Sequence, residues 1–387
     1  MSSSLYDDLS LSALRERQSE KWRAFPPDVL PVWVAEMDYP LAPPIREVLH
    51  SFVDRGDTGY PWVGELPSAF ASFALARYGV AVDPSRAYVV SDIMRGIQVA
   101  LEVLTPPDSG VAFLTPAYPP FFESVPYVGR RVVSVPLVFA ASGRPSVDLD
   151  RLASALARPD VSAFLLCNPH NPTGRMFTAG ELSAMAEIAE RSDVVVLSDE
   201  VHAPLTYGAA RHVPFWSLSS DVARRSVTFV SASKAWNVPG LKCAMALAGS
   251  PEVSKALQTL PAEILVGSSV LGIAANIAAF RSGLPWLTET LDYLAVNRTL
   301  LQSLLAEKLP SVRYALPDAT YLAWLDCRDL GLGPDPAAAF LERGRVAAVG
   351  GHHFGVEEGT GFVRFNFATS KAILTEAVAR MASAVES

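Results

Sequence analysis

Between residues 111 and 233 the chain alternates two patterns of apolar and polar positions. Short, nearly unbroken apolar runs stand at Val111 to Pro116, Ser162 to Pro169, Val194 to Glu200 and Val227 to Ser233. Between the second and third lies TAGELSAMAEIAERS, where Leu182, Met185, Ile188 and Ala189 recur at helical spacing. Thr178 and Glu181 open that stretch as a capping box, each side chain answering a backbone N–H that the first helical turn leaves unpaired. The order predicts strand, helix, strand. Strands apolar along their whole length belong to a parallel sheet with helices on both faces. Ligands of such sheets bind beyond the carboxyl ends of the strands. Each run ends there in a residue with chemistry to offer: Tyr118, Asn171, Asp199 and Lys234.

The C-terminal third reads differently. A helix is predicted over about Trp286 to Leu309, then strands at Tyr321 to Cys327 and at Gly361 to Ala368, the last carrying Arg364. The expected fold class is α/β, with a large domain over 46–283 built on a mainly parallel central sheet and a smaller α+β domain from 1–45 and 284–387. The longest uncharged stretch, Ile264 to Phe280, is broken by Gly267, Ser268, Ser269, Gly272 and Asn276. It falls short of the roughly 20 apolar residues of a membrane span and reads as a buried helix. The first residues lack the apolar core of a signal peptide.

Composition narrows the partners. At 387 residues, 50% hydrophobic and 19% charged, the chain is long enough for two domains with large cores. A net charge of −8 without clustered Lys or Arg argues against nucleic acid or a membrane surface and favours a small, diffusible substrate. Cys167, Cys243 and Cys327 are odd in number and widely spaced, which suits a reducing cytoplasm and suggests neither disulfides nor a Cys metal site. His50, His212, His352 and His353 show no ligand spacing, so no metal is expected.

Six lysines stand against twenty-six arginines. Lys21 lies in a charged N-terminal segment, and Lys255, Lys308 and Lys371 lie in polar, helix-like surroundings that suit a solvated ammonium. Lys234 and Lys242 flank a Gly-containing turn just after an apolar run, where burial beside other cations would lower an amine's pKa and make it a nucleophile.

Four motifs then bear on the question together: NPHNPTG (Asn168 to Gly174), SDEVH (Ser198 to His202), SASKAWNVPGLKCA (Ser231 to Ala244) and FVRFNFA (Phe362 to Ala368). In this order and spacing the chain resembles the fold-type I pyridoxal phosphate enzymes, the class I/II aminotransferase superfamily. VAEMDYPLAPPI (Val34 to Ile45), TPAYPPFF (Thr115 to Phe122) and ATYLAWLD (Ala319 to Asp326) are similar to its cystathionine β-lyase branch, which includes the maltose-regulon modulator type of carbon–sulfur lyase. His202 stands where aspartate-type aminotransferases usually carry tyrosine, again as in that branch.

The resemblance implies pyridoxal 5'-phosphate as cofactor, an amino acid as substrate and a homodimer with a shared active site. It implies Lys234 as the Schiff-base lysine and proton carrier. Asp199 would face the pyridine nitrogen with His202 nearby, Asn171 would donate to the ring hydroxyl, and Tyr118 would stack on the ring. Ser231, Ser233 and Lys242 would hold the phosphate with backbone amides at Ile93 and Met94, and Tyr60 would reach in from a second subunit. Arg364 would fork onto the substrate carboxylate. Plainer roles compete: Asp199 as a helix cap, Tyr118 as a turn aromatic, Ser231 and Ser233 as small turn residues, Arg364 as a surface ion-pair partner, Tyr60 as a loop residue. The chain departs from its relatives at Ser91 and Asp92, where a Pro-Gly pair is common. A carboxylate beside a phosphate repels it, so Asp92 is expected to point away or to cap the following helix.

The implied reaction is β-elimination from L-cystathionine or another cysteine S-conjugate, giving a thiol, pyruvate and ammonia. The alternative is a pyridoxal phosphate aminotransferase using the same residues. Ser231 to Lys234 also fits the S-x-x-K pattern of penicillin-recognising acylases, but K-T-G is missing and the motif ends an apolar strand. A non-catalytic regulator is the remaining class, without a basic face to support contact with DNA.

Overall fold

The apolar runs pair with one another. The computed structural model describes residues 6–386 apart from 219–220, 222–223, 262 and 265–266. Seven strands form its large sheet: β1 (Ala87–Val90), β2 (Gly110–Thr115), β3 (Arg131–Pro136), β4 (Val161–Cys167), β5 (Val195–Asp199), β6 (Ser226–Val230) and β7 (Ala244–Ala248). Their order across the sheet is β1-β7-β6-β5-β4-β2-β3. The run from β6 to β3 is parallel throughout, and β7 is antiparallel to both of its neighbours.

Helices α1 (Pro43–Asp54), α2 (Leu66–Tyr78), α3 (Ile93–Leu104), α4 (Pro119–Tyr127), α5 (Leu149–Leu156), α6 (Ala179–Arg191) and α7 (Val270–Ser282) surround this sheet, and α8 (Leu284–Lys308) and α9 (Lys371–Glu386) follow in the C-terminal part. Alternate strand residues feed two cores, because successive side chains of a strand point to opposite faces. Val111, Phe113, Leu165 and Leu197 pack with Ile97 and Leu101 of α3 and with Phe121 of α4. Leu114, Phe164, Leu166 and Val196 pack with Leu152 of α5 and with Leu182 and Met185 of α6. The capping box at Thr178 and Glu181 forms as its residues predict.

Three strands lie outside the four apolar runs of the sequence. β3 has exposed positions because it forms an edge of the sheet. β1 is short and forms the other edge. β7 is AMALA, small and helix-prone residues that become a strand only between β1 and β6.

A second, antiparallel sheet has the order β8-β9-β11-β10, from β8 (Arg313–Tyr314), β9 (Leu322–Asp326), β10 (Val349–Gly350) and β11 (Phe362–Asn366). Helices α8 and α9 pack together nearby. The N-terminal segment runs alongside. Leu30–Pro31 pairs in parallel with Val346–Ala347, the Asn366 amide donates to the carbonyls of Val34 and Glu36 at 2.7 Å each, and the Asp38 N–H donates to the Ala368 carbonyl at 2.9 Å. Residues 32–38 thereby become a strap tied to the end of β11.

Two readings of the sequence are corrected here. The stretch Ile264 to Phe280 is not one helix: Ser269 caps α7, which starts at Val270, while residues 265–266 fall outside the described residues. α7 then meets α8 at 80°, and no single described helix is long and apolar enough to cross a membrane. Lys21, in its charged segment, is 1% exposed and forms a buried ion pair with Asp38 at 2.9 Å. Asp38 also accepts from the Trp22 indole N–H at 2.9 Å, so the pair locks the strap.

Candidate active site

The parallel strands deliver their end residues to one cavity of about 280 Å³. Asp199 ends β5, and Lys234 follows the tight turn after β6. Tyr118 follows β2 and immediately precedes α4. All three line the cavity, with Ser231 and Ser233 from the turn, Ile93 and Met94 from the first turn of α3, and Lys242 opposite them. α3 can lie this close because Gly96 faces β6: a Cβ there would come within 2.9 Å of the Phe229 ring.

Burial sets the protonation of the central pair. Removal from water, and then the charge of Arg364, pull Lys234 down to about 8; its ammonium donates to the Ala35 carbonyl at 3.0 Å. The same burial pushes Asp199 up to about 7, only partly offset by the Val201 N–H at 3.1 Å and by Lys234. Asp199 thus closes a turn with Val201 and caps no helix. His202, three residues on, is buried and held neutral by burial. Its ring lies 6.0 Å from that of Tyr321, and its Nδ1 has no hydrogen-bond partner among the described residues.

Arg364 is an internal cation, not a surface ion-pair partner. It donates to Asn171 Oδ1 at 3.1 Å and to the Trp33 carbonyl at 2.8 Å, and it lies over the Phe354 ring at 5.0 Å. Burial brings it down to about 10. Because Arg364 takes the amide oxygen of Asn171, the Asn171 nitrogen is left as a donor. Tyr118 packs edge-on to Phe121, and burial raises its phenol.

The structure parts company with the sequence reading at Lys242 and Ser231. Lys242 is 58% exposed and paired with Asp92 at 3.1 Å, so it is not the buried amine that its place after an apolar run suggested. The Ser231 hydroxyl donates to the Cys243 carbonyl at 2.7 Å and accepts from the Ser233 N–H at 3.0 Å; it serves the turn and keeps no proton for a ligand. Tyr60, expected to reach into a second subunit, does not line its own chain's cavity and is 89% exposed on the outer surface beside Trp62.

Sequence reasoning missed the strap. Trp33 and Ala35 hold Arg364 and Lys234 through carbonyl oxygens, Tyr321 donates to the same Ala35 carbonyl at 3.0 Å, and Asn237 pins both the N–H and the carbonyl of Met37 at 2.8 Å. Backbone carbonyls carry no residue-type signature. The only signal was the motif VAEMDYP itself.

The donor set fits pyridoxal phosphate. A buried carboxylate with an unmet need for a cation suits a protonated pyridine nitrogen, and Tyr118 offers an aromatic face. The Asn171 nitrogen could bond a ring hydroxyl. The start of α3, with two backbone N–H groups and Lys242 beside it, could hold a dianion.

Comparison with known proteins agrees. The family model for aminotransferase class I and II matches residues 33–381. A Mycobacterium leprae protein put forward as a cystathionine beta-lyase is 45% identical over 406 residues, spanning 100% of this chain and 99% of the other. The cystathionine beta-lyase of Corynebacterium glutamicum is 35% identical over 377 residues, 96% of this chain and 98% of its own. Among solved structures, a Corynebacterium diphtheriae protein put forward as a PLP-dependent β-cystathionase matches with a TM-score of 0.92 at 36% identity, over 98% of each chain. With the match running almost end to end, the chain belongs to the class I and II aminotransferase family.

Proposed function

We propose that the protein is a pyridoxal-phosphate-dependent carbon–sulfur β-lyase that splits L-cystathionine, or another cysteine S-conjugate, with water into a thiol, pyruvate and ammonia. The observation that carries this reading is the convergence of Lys234, Asp199 and Tyr118 on one cavity. Full-length similarity to a cystathionine beta-lyase supports it. When bound, the cofactor supplies an electron sink for the pair released at the substrate's Cα.

The chain's own residues do the remaining work. Arg364, steadied by Asn171 and the Trp33 carbonyl, binds the substrate carboxylate and fixes which bond at Cα stands ready to break. Lys234 moves the proton. With its pKa at about 8, roughly a tenth of it is uncharged at pH 7, so the amine can both take a proton from Cα and return one. With the cofactor bound, Asp199 would keep the ring nitrogen protonated, Asn171 would bond the ring hydroxyl, and Tyr118 would cover the ring face. His202 stays neutral and packs towards Tyr321. Ile93 and Met94, through their N–H groups, would take the phosphate with Ser233 and Lys242, while Ser231 braces the turn.

The assembly proposed is a homodimer in a reducing cytoplasm. Tyr60 and Trp62, 89% and 81% exposed, sit beside an apolar face formed by α1 and α7, as interface aromatics do. Three buried free thiols suit such a compartment.

The test is direct. Holoenzyme given L-cystathionine or S-substituted cysteines, without any keto acid, should release thiol and pyruvate in equal amounts, and Lys234→Ala should lower turnover by at least about 10²- to 10⁴-fold. Turnover that depends on an added keto acid would mark an aminotransferase and overturn the lyase reading.

A further inference from the structure

We propose that Asp92 is a built-in competitor for the cofactor's phosphate and sets how tightly the cofactor is held. This inference rests on the reading of the cavity as a pyridoxal phosphate site. One oxygen of Asp92 accepts from the Arg95 N–H at 2.8 Å, capping α3, and the other pairs with the Lys242 ammonium at 3.1 Å. A single carboxylate therefore answers both positive elements that a phosphate would use, the start of a twelve-residue helix and the lysine facing it.

The geometry leaves little room for the two anions to ignore each other. Asp92 and Lys242 line the same cavity as Lys234 and Asp199. Lys242 is held at φ +50°, in the left-handed region that residues with a Cβ rarely adopt. The turn before it is fixed from behind: Gly272 of α7 approaches the Leu241 carbonyl so closely that no Cβ would fit between them. The ammonium is presented to the α3 terminus by a rigid turn, and Asp92 is already there. A phosphate monoester carries about −1.5 to −2 at neutral pH, so Asp92 both repels it and engages the lysine it needs. Loading the phosphate requires the Asp92–Lys242 pair to open.

The experiment compares cofactor-free wild type with Asp92→Asn, and with Asp92→Ser as a second variant. Asparagine and serine cap helices about as well as aspartate, so α3 keeps its cap while the charge is lost. Titration with pyridoxal phosphate, read by cofactor absorbance and tryptophan quenching, should give a Kd about tenfold lower for both variants. Inorganic phosphate should compete more strongly by a similar factor. Pyridoxal without its phosphate should bind wild type and variants equally. Lys242→Met should weaken pyridoxal phosphate binding more in the Asp92→Asn background than in wild type, because Asp92 no longer occupies the lysine. Unchanged or weaker binding by the Asp92 variants, or an equal gain for pyridoxal, would overturn the proposal. Wild type that fails to take up pyridoxal phosphate at all would instead overturn the functional reading beneath it.

Discussion

Asp199 and Lys234 are held where charge is costly, and that cost can be measured. Burial raises Asp199 to about 7, whereas in the unfolded chain it titrates near 4, at about 3.9. Between those values the folded protein binds more protons than the unfolded chain, so the stability this group contributes falls as pH rises and is lost above about 7. Asp199→Asn should therefore stabilise the cofactor-free protein at pH 8, by no more than about 4 kcal/mol, and raise its melting temperature, with the gain shrinking towards pH 4. Thermal melts across that range check it; a loss of stability at pH 8 would mean that Asp199 serves the fold. Lys234 titrates in the opposite sense. With its pKa lowered to about 8, its burial costs most below that pH and the cost is relieved as pH rises towards 10.4, about its value when free.

At the scale of elements, the strap at residues 32–38 decides whether the strand-end residues are correctly aimed. It carries the carbonyls that hold Lys234 and Arg364, and it is locked by the buried Lys21–Asp38 pair. Removing one partner of a buried pair leaves the other uncompensated, a loss of about 3–5 kcal/mol. Lys21→Met should destabilise by that order in denaturant melts and raise KM for the amino acid, because the Arg364 support shifts with the strap. Lys21→Met combined with Asp38→Asn should recover much of the stability, since Asn still accepts from Trp22. Failure of the double variant to recover would show that packing of the lysine stem, not its charge, holds the strap.

For the molecule as a whole, the exposed aromatics call for a partner. Tyr60 and Trp62 lie beside Phe52 of α1 and Val270 and Ile277 of α7, a partly exposed apolar surface that water would otherwise cover. Trp62→Asp should leave the fold intact and convert the proposed dimer to a monomer in sedimentation velocity. A wild-type protein that stays monomeric at micromolar concentration would refute the shared site and with it the role given to Tyr60.

What the sequence by itself determined was everything written in local pattern: strands β2, β4, β5 and β6, the capped helix α6, and the strand-end residues Tyr118, Asn171, Asp199 and Lys234. Uniform burial and capping leave signatures within a few residues, and a parallel sheet must aim its strand ends one way. What only the tertiary structure decided were matters of partnership across long separations. β7 is a strand because β1 and β6 flank it; Lys21 is buried because Asp38 meets it. Lys242 is exposed and paired with a carboxylate 150 residues away, and Lys234 is held by a carbonyl 199 residues away. A residue's type announces what it can do, but its charge, burial and aim depend on neighbours that only the folded chain supplies.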